Sequence, residues 1–153
     1  MAPVVVEAEQ IRELFDRVAT LEEVAASLPA KDPRRAQLLG VVQAELAGAI
    51  PVRPVVAAGI LHLTEKTVRD WANEGVLTVY QDRPRLLLDP ARLHQVAHLV
   101  ADLRKAGKTR GLLDEVFRRL ADSALVDRED LAESLGQMRR GEGRVVRPLS
   151  SVR

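Results

Sequence analysis

The stretch PVVAAGILHLTEKTVRDWANEGVL, residues 54–77, decides the fold of this chain. Its first part, Pro54–Leu61, is a short run of small apolar residues that favours a helix. Thr64 can cap a second helix, Glu65–Glu74, which Gly75 can end in the left-handed conformation. Two short helices separated by about three residues predict a helix-turn-helix.

The predicted second helix has two chemically different faces. Val68, Trp71 and Ala72 share one face at spacings of three and four, so we expect that face to pack on the first helix. The opposite face carries cations and an amide, which are the groups that contact phosphates and purine edges in the major groove of DNA. Its residues are Lys66, Arg69, Asp70 and Asn73, with Thr67 on the flank.

A small β-hairpin is predicted directly after the two helices. The apolar triplets TVY and LLL flank a polar, proline-containing turn whose tip carries Arg83 and Arg85. Asp89 and Pro90 then supply a cap and a first-turn proline for a long helix that runs to Gly107. The order helix, turn, helix, hairpin, helix is that of a winged helix-turn-helix, so the fold class predicted is mainly α.

The same stretch resembles the MerR and excisionase type of winged helix-turn-helix domain. In that family two alanines lead to a turn, followed by Ser/Thr-x-x-Thr-Val-Arg-x-Trp and Gly-x-Leu. The matching residues are Ala57, Ala58, Thr64, Thr67, Val68, Arg69, Trp71, Gly75 and Leu77. The resemblance extends to about Gly107 and implies sequence-specific binding to double-stranded DNA.

Two features depart from the family's pattern. His62 occupies the turn position that is usually glycine, so it must adopt an unusual backbone conformation or loosen the turn. The hairpin lacks the aromatic, strongly basic motif of many relatives, and its tip offers Arg83 and Arg85 instead. The full set of residues predicted to contact DNA is Thr64, Lys66, Thr67, Arg69, Asn73, Arg83 and Arg85.

The distribution of charge favours this interpretation, although the formal net charge is +1. Residues 1–50 carry a net charge of −3 and are predicted to form an acidic helical region. Residues 51–111 carry +4 and contain the predicted winged domain. Residues 112–140 are predicted to form a helical pair, and residues 141–153 a flexible basic tail.

Local signals divide the acidic region into three predicted helices. An apolar i, i+3, i+4 pattern up to Val18 predicts the first. The capping-box sequence that begins at Thr20 predicts a short second helix. Asp32 and Pro33 predict the start of a third, which runs toward Gly48.

Composition and motifs argue against several other classes of protein. The chain has no cysteine, which excludes disulfide bonds, cysteine nucleophiles and thiolate metal sites. His94, His98 and Asp102 follow one helical stripe but span about 12 Å, so we expect a solvated face or an interface and no metal site. The triplet GKT at 107–109 lacks the upstream glycine and strand of a phosphate-binding loop. No motif indicates an enzyme, and no cofactor is predicted.

The sequence predicts a cytoplasmic protein without membrane contact. The N-terminus MAPVVVEAEQ has neither a basic start nor a cleavable apolar segment. No apolar run approaches the roughly 20 residues that a membrane-spanning helix needs.

The predicted function is that of a DNA-binding transcriptional regulator, which we expect to be a homodimer because one small domain makes few base contacts. The stretch SLGQMRRGEGRVV resembles the C-terminal tails of some bacterial antitoxins. Within this class we therefore favour an antitoxin that represses its own operon and binds a toxin through its C-terminal region. Two alternatives stay open: a stand-alone MerR-like regulator, and a protein-interaction adaptor that uses the helix-turn-helix as a scaffold.

Overall fold

The computed structural model describes residues 3–125 and is mainly helical, with one small antiparallel sheet in that part. The elements are α1 (Val4–Ser27), α2 (Pro33–Ala47), α3 (Pro54–Leu61), α4 (Glu65–Asn73), β1 (Val79–Gln81), β2 (Leu87–Leu88), α5 (Pro90–Lys105) and α6, helical over 112–125. The predicted class, mainly α with a hairpin, is confirmed at this coarse level.

The chain divides into two compact units, 1–116 and 117–153, and the architecture described below is that of the first. The segment boundaries predicted at 50/51 and 111/112 stay predictions. The predicted second helix of the C-terminal pair and the predicted basic tail lie outside the described residues.

Three helices begin at the capping residues that the sequence indicates. Asp32 and Asp89 each accept a hydrogen bond of 2.9 Å from a backbone N–H in the first turn, and proline follows both of them. The hydroxyl of Thr64 accepts from the N–H of Thr67 at 3.1 Å and so caps α4. Such a cap stabilises a helix by about 1 kcal/mol, which explains why these starts are fixed locally.

The N-terminal residues form one long helix, α1, where the sequence predicts two. Thr20 lies inside this helix, and its hydroxyl donates to the Asp16 carbonyl at 3.0 Å instead of capping a new helix. Val18 and Ala25 are buried on the same stripe, so burial continues across Thr20. The prediction of a separate second helix was wrong because this continuous burial outweighs the local capping signal.

One apolar core joins the acidic helices to the central segment. α1 packs on α2 and α3, and α5 packs on α2 and α3. Residues with no exposed surface come from elements throughout the first unit: Val18, Ala57, Val68, Val76, Leu88, Leu93, Val96 and Val116. Residues 3–50 therefore contribute directly to the core that supports α3 and α4.

The two-stranded sheet is tied to the start of α3. β1 and β2 are antiparallel, with Val79 opposite Leu88 and an irregularity before Gln81. Val52 extends the ladder, since its N–H donates to the Leu88 carbonyl at 2.9 Å and its carbonyl accepts from the Leu88 N–H at 2.7 Å. The hairpin and the segment that leads into α3 are thus held together by backbone hydrogen bonds.

Candidate nucleic-acid interface

A tight turn of residues 62–64 joins α3 to α4. His62 adopts the left-handed conformation, with φ 55° and ψ 46°, and its N–H donates to the Ala58 carbonyl. The Leu63 N–H donates to the same carbonyl at 3.0 Å. Of the two outcomes expected for a histidine here, the chain adopts the unusual backbone conformation, which costs about 1 kcal/mol for a residue with a Cβ.

The inward face of α4 packs as the helical spacing predicts. Val68 is completely buried, and Trp71 and Ala72 retain 4% and 8% of their surface. α4 packs on α3 through this face. The C-terminal end of α4 is also as predicted, because Gly75 has a φ of 86°. This packing determines which side chains α4 turns outward.

The outward face of α4 carries the predicted cations and amide. Lys66, Arg69 and Asn73 are exposed, and Thr67 is half-buried. The Lys66 side chain is 87% exposed and that of Arg69 is 53% exposed. The structure therefore groups these residues on one accessible helical surface.

Both cations on this surface pair with carboxylates of the same helix. Lys66 Nζ lies 3.2 Å from Asp70 Oδ2, and Arg69 Nη2 lies 3.4 Å from Glu65 Oε1. Both pairs join residues that are four positions apart. This spacing is visible in the sequence and predicts such pairs on a helix. Exposed pairs of this kind are worth about 0–1 kcal/mol, so a stronger anion such as phosphate can replace the carboxylate.

Thr64 has a structural role in addition to its predicted contact with DNA. Its hydroxyl oxygen accepts the capping bond from Thr67, and the two threonine hydroxyls lie 2.8 Å apart. These bonds fix the first turn of α4. The hydroxyl of Thr67, on the flank of the outward face, shares this network.

The hairpin tip places Arg83 and Arg85 together on a different element from α4. Both residues are exposed. The Gln81 side-chain amide donates to the Arg85 carbonyl at 3.2 Å, which holds the end of the turn. Arg85 also lines a shallow cleft of about 360 Å³ with Glu7 and Arg53, so the tip lies near the beginning of α3.

Three other arginines of the central segment are bonded to distant parts of the chain, and sequence reasoning missed them. Arg53 forms a two-pronged pair with Glu7, with N···O distances of 2.9 and 2.8 Å, and both side chains are less than a fifth exposed. Arg92 and Arg104 donate to backbone carbonyls 16 and 43 residues away. No local spacing could have indicated these partners, because the folded chain brings them together.

His94 corrects one prediction about α5. The sequence favours a solvated face or an interface for His94 and His98, and His98 is exposed, but His94 is only 8% exposed. The aromatic ring of Phe15 packs against the His94 ring at 4.9 Å, and His94 Nε2 lies 2.8 Å from Glu22 Oε1. The prediction was wrong for His94 because α1 covers this part of α5. Among residues 3–125, no three His, Asp or Glu side chains are grouped to hold a metal ion.

Comparison with protein families, with characterised proteins and with solved structures gives no significant match. Within the part of the chain that the structure describes, no helix combines the length and the apolar character needed to span a membrane.

Proposed function

We propose that this protein is a sequence-specific DNA-binding regulator with a winged helix-turn-helix, in which α4 enters the major groove. One observation carries the proposal: α4 is held by a buried face of Val68, Trp71 and Ala72, while its opposite face presents exposed Lys66 and Arg69. A left-handed turn precedes α4 and a hairpin with two exposed arginines follows it. The resemblance to the MerR and excisionase type of domain supports the same assignment.

The dimensions and chemistry of α4 suit major-groove recognition. A major groove about 12 Å wide admits one α-helix, whose diameter with side chains is about 10–12 Å. The nine residues of α4 give about 13 Å of helix that can lie in it. Arg69 can bond the two acceptors of guanine, and Asn73 can bond adenine in the same two-pronged way. Lys66 and Thr67 would contact phosphates or base edges beside them, and Arg83 and Arg85 would hold the backbone next to the groove.

The carboxylates on α4 would lower its affinity for DNA. Glu65 and Asp70 would face the phosphates together with the cations that they pair with, and like charges repel. One copy of α4 therefore supplies little net attraction. We propose that a homodimer binds two half-sites about 34–36 Å apart, so that two copies of α4 share one DNA molecule.

The test starts from a library of random duplexes, from which the full-length protein selects its preferred site. We expect Lys66→Ala/Arg69→Ala to weaken binding to that site at least tenfold. The slope of log affinity against log salt should fall by about 2, since the Lys66 contact with phosphate is lost in both protomers of the dimer. The matched control, Lys31→Ala/Arg34→Ala, removes the same charge at exposed positions remote in sequence from α4 and should bind normally.

Two results would overturn the proposal. One is a wild-type protein that neither enriches any duplex nor retards DNA at low salt. The other is equal affinity of the wild type and the Lys66→Ala/Arg69→Ala variant. In the first case, the adaptor alternative, with the helix pair as a scaffold, becomes the leading function.

The proposal that this regulator is an antitoxin concerns residues outside the described part of the chain. Its test compares the proteins that co-purify from native cells with the full chain and with a chain that ends at residue 125. This end point keeps Val116, which is completely buried in the first unit. The antitoxin proposal expects one partner to be lost on truncation, and equal recovery of partners would refute it.

A further inference from the structure

Arg104 connects α5 to the turn that leads into α4. Its Nη1 donates to the Leu61 carbonyl at 2.6 Å, and its Nη2 donates to the His62 carbonyl at 3.2 Å. These carbonyls lie at the C-terminal end of α3, where a helix lacks internal partners for its last carbonyls. The planar guanidinium therefore bonds the last residue of α3 and the left-handed residue of the turn at the same time.

Arg92 makes a similar connection beyond the other end of α4. Its Nε donates to the Val76 carbonyl at 2.9 Å, immediately after Gly75, which ends the helix. Arg92 and Arg104 are twelve residues apart on α5, which corresponds to about 18 Å along the helix axis. Through these bonds, α5 holds the backbone both before α4 and after it.

We propose that Arg104 and Arg92 are positioning residues for DNA recognition, which set the orientation of α4 without touching DNA. This inference rests on the proposed DNA-binding function. α4 is short and is held along its length by one apolar face, and apolar contacts do not fix direction as hydrogen bonds do. A small rotation about that face would move the tips of Arg69 and Asn73 away from the base edges.

A positioning role differs measurably from a general contribution to stability. If α4 turns slightly, contacts with bases weaken because hydrogen bonds fall off steeply with angle, while contacts between flexible cations and phosphates persist. The discrimination between a preferred duplex and a scrambled one then falls, and the dependence on salt does not. A variant that is merely less stable loses affinity for both duplexes in the same proportion.

The experiment uses the full chain with Arg104→Met, which keeps an apolar stem of similar length but removes the donors. We expect affinity for the selected duplex to fall about tenfold and affinity for a scrambled duplex to change less than about twofold. Arg104→Lys retains one bond to the turn and should recover part of the loss. Lys105→Met is the matched control, because it removes the same charge from the adjacent exposed position.

Hydrogen exchange of the free protein gives a readout that does not depend on DNA. In Arg104→Met, amides of residues 62–68 should exchange faster, while those of the buried part of α1 around Val18 should be unchanged. Arg92→Met should act in the same way on residues 74–77. It also serves as the second variant if Arg104→Met does not fold.

The outcomes separate this inference from the proposed function. A wild-type protein without any duplex preference overturns both, although the exchange data would still decide whether Arg104 holds the turn. The positioning role alone is overturned if the wild type clearly prefers the selected duplex to a scrambled one and the Arg104→Met and Arg92→Met variants show the same preference. A proportional loss on both duplexes, or faster exchange throughout the first unit, does the same.

Discussion

Two groups of cationic side chains in the central segment differ in how they are held. The outward group, Lys66 and Arg69, pairs with carboxylates one helical turn away and is more than half exposed. The inward group, Arg53, Arg92 and Arg104, bonds to partners between 16 and 46 residues away. The segment charge of +4 counts both groups equally, whereas of these two groups only the outward one is accessible and held by weak, exposed pairs.

The largest effect should come from breaking a contact of the inward group. Arg53→Ala leaves the Glu7 carboxylate less than a fifth exposed without its two-pronged partner, and we expect a loss of about 2 kcal/mol in the free energy of unfolding. Urea denaturation measures this loss. Arg69→Ala, which breaks the exposed pair with Glu65 in the outward group, should change stability by less than about 0.5 kcal/mol. Equal losses in the two variants would remove the distinction between the groups.

A second change leaves the outward cations in place and removes their partners. Glu65→Gln/Asp70→Asn should raise affinity for any duplex about fivefold to tenfold, since two charges that repel phosphate are lost. Stability should change by less than about 1 kcal/mol, because both pairs are exposed. Competition binding at several salt concentrations measures the effect, with Glu9→Gln/Glu13→Gln on the exposed side of α1 as the control. A weaker complex would mean that these carboxylates contact bases.

A smaller change is expected at the hairpin tip. Arg83→Ala should weaken DNA binding about threefold and lower the salt slope by about 2, because one phosphate contact is lost in each protomer of the dimer. The preference for the selected duplex over a scrambled one should remain, which is the reverse of the expectation for Arg104→Met. Lys31→Ala removes one charge elsewhere and serves as the control. An unchanged salt slope would exclude the tip from the interface.

The smallest expected effect concerns pH. The side-chain hydrogen bond from Arg34, with its backbone N–H second, lowers the pKa of Asp32 below its ordinary 3.8. Because the pKa of Asp32 is lower in the folded state than in the unfolded state, its ionised carboxylate stabilises the fold at pH values above about 3.8. This contribution is lost as the pH falls below about 3.8 and through the folded-state pKa. Asp32→Asn should therefore show a slightly flatter decline in stability with acid than the wild type. Identical acid profiles would contradict the prediction.

The elements that the sequence could predict are those with local signals. Capping residues, first-turn prolines and the apolar period predicted α2 to α5 and the hairpin, because each signal acts within one or two helical turns. The long α1 was not predicted, since the burial of Val18 and Ala25 against other elements overrides the signal at Thr20. The left-handed His62 was one of two outcomes that its place in the turn allowed.

The candidate site also combines features that local sequence signals predict with features that they do not. Periodicity predicted the outward position of Lys66, Arg69 and Asn73, because the buried face of α4 fixes the exposed one. The hydrogen bonds of Arg104 to the turn could not be predicted, since the partners are about 43 residues apart and carbonyls carry no sequence signal.

The contact between Glu22 and His94 has a consequence for how the protein is made. The two residues are 72 positions apart, and Phe15 packs on the same histidine. At a synthesis rate of about 5–20 residues per second, Glu22 leaves the ribosome roughly 4–14 s before its partner. During that interval the apolar stripe of α1 has no α5 to cover it. A nascent chain therefore gains its completed core, and with it the support for α4, when α5 emerges.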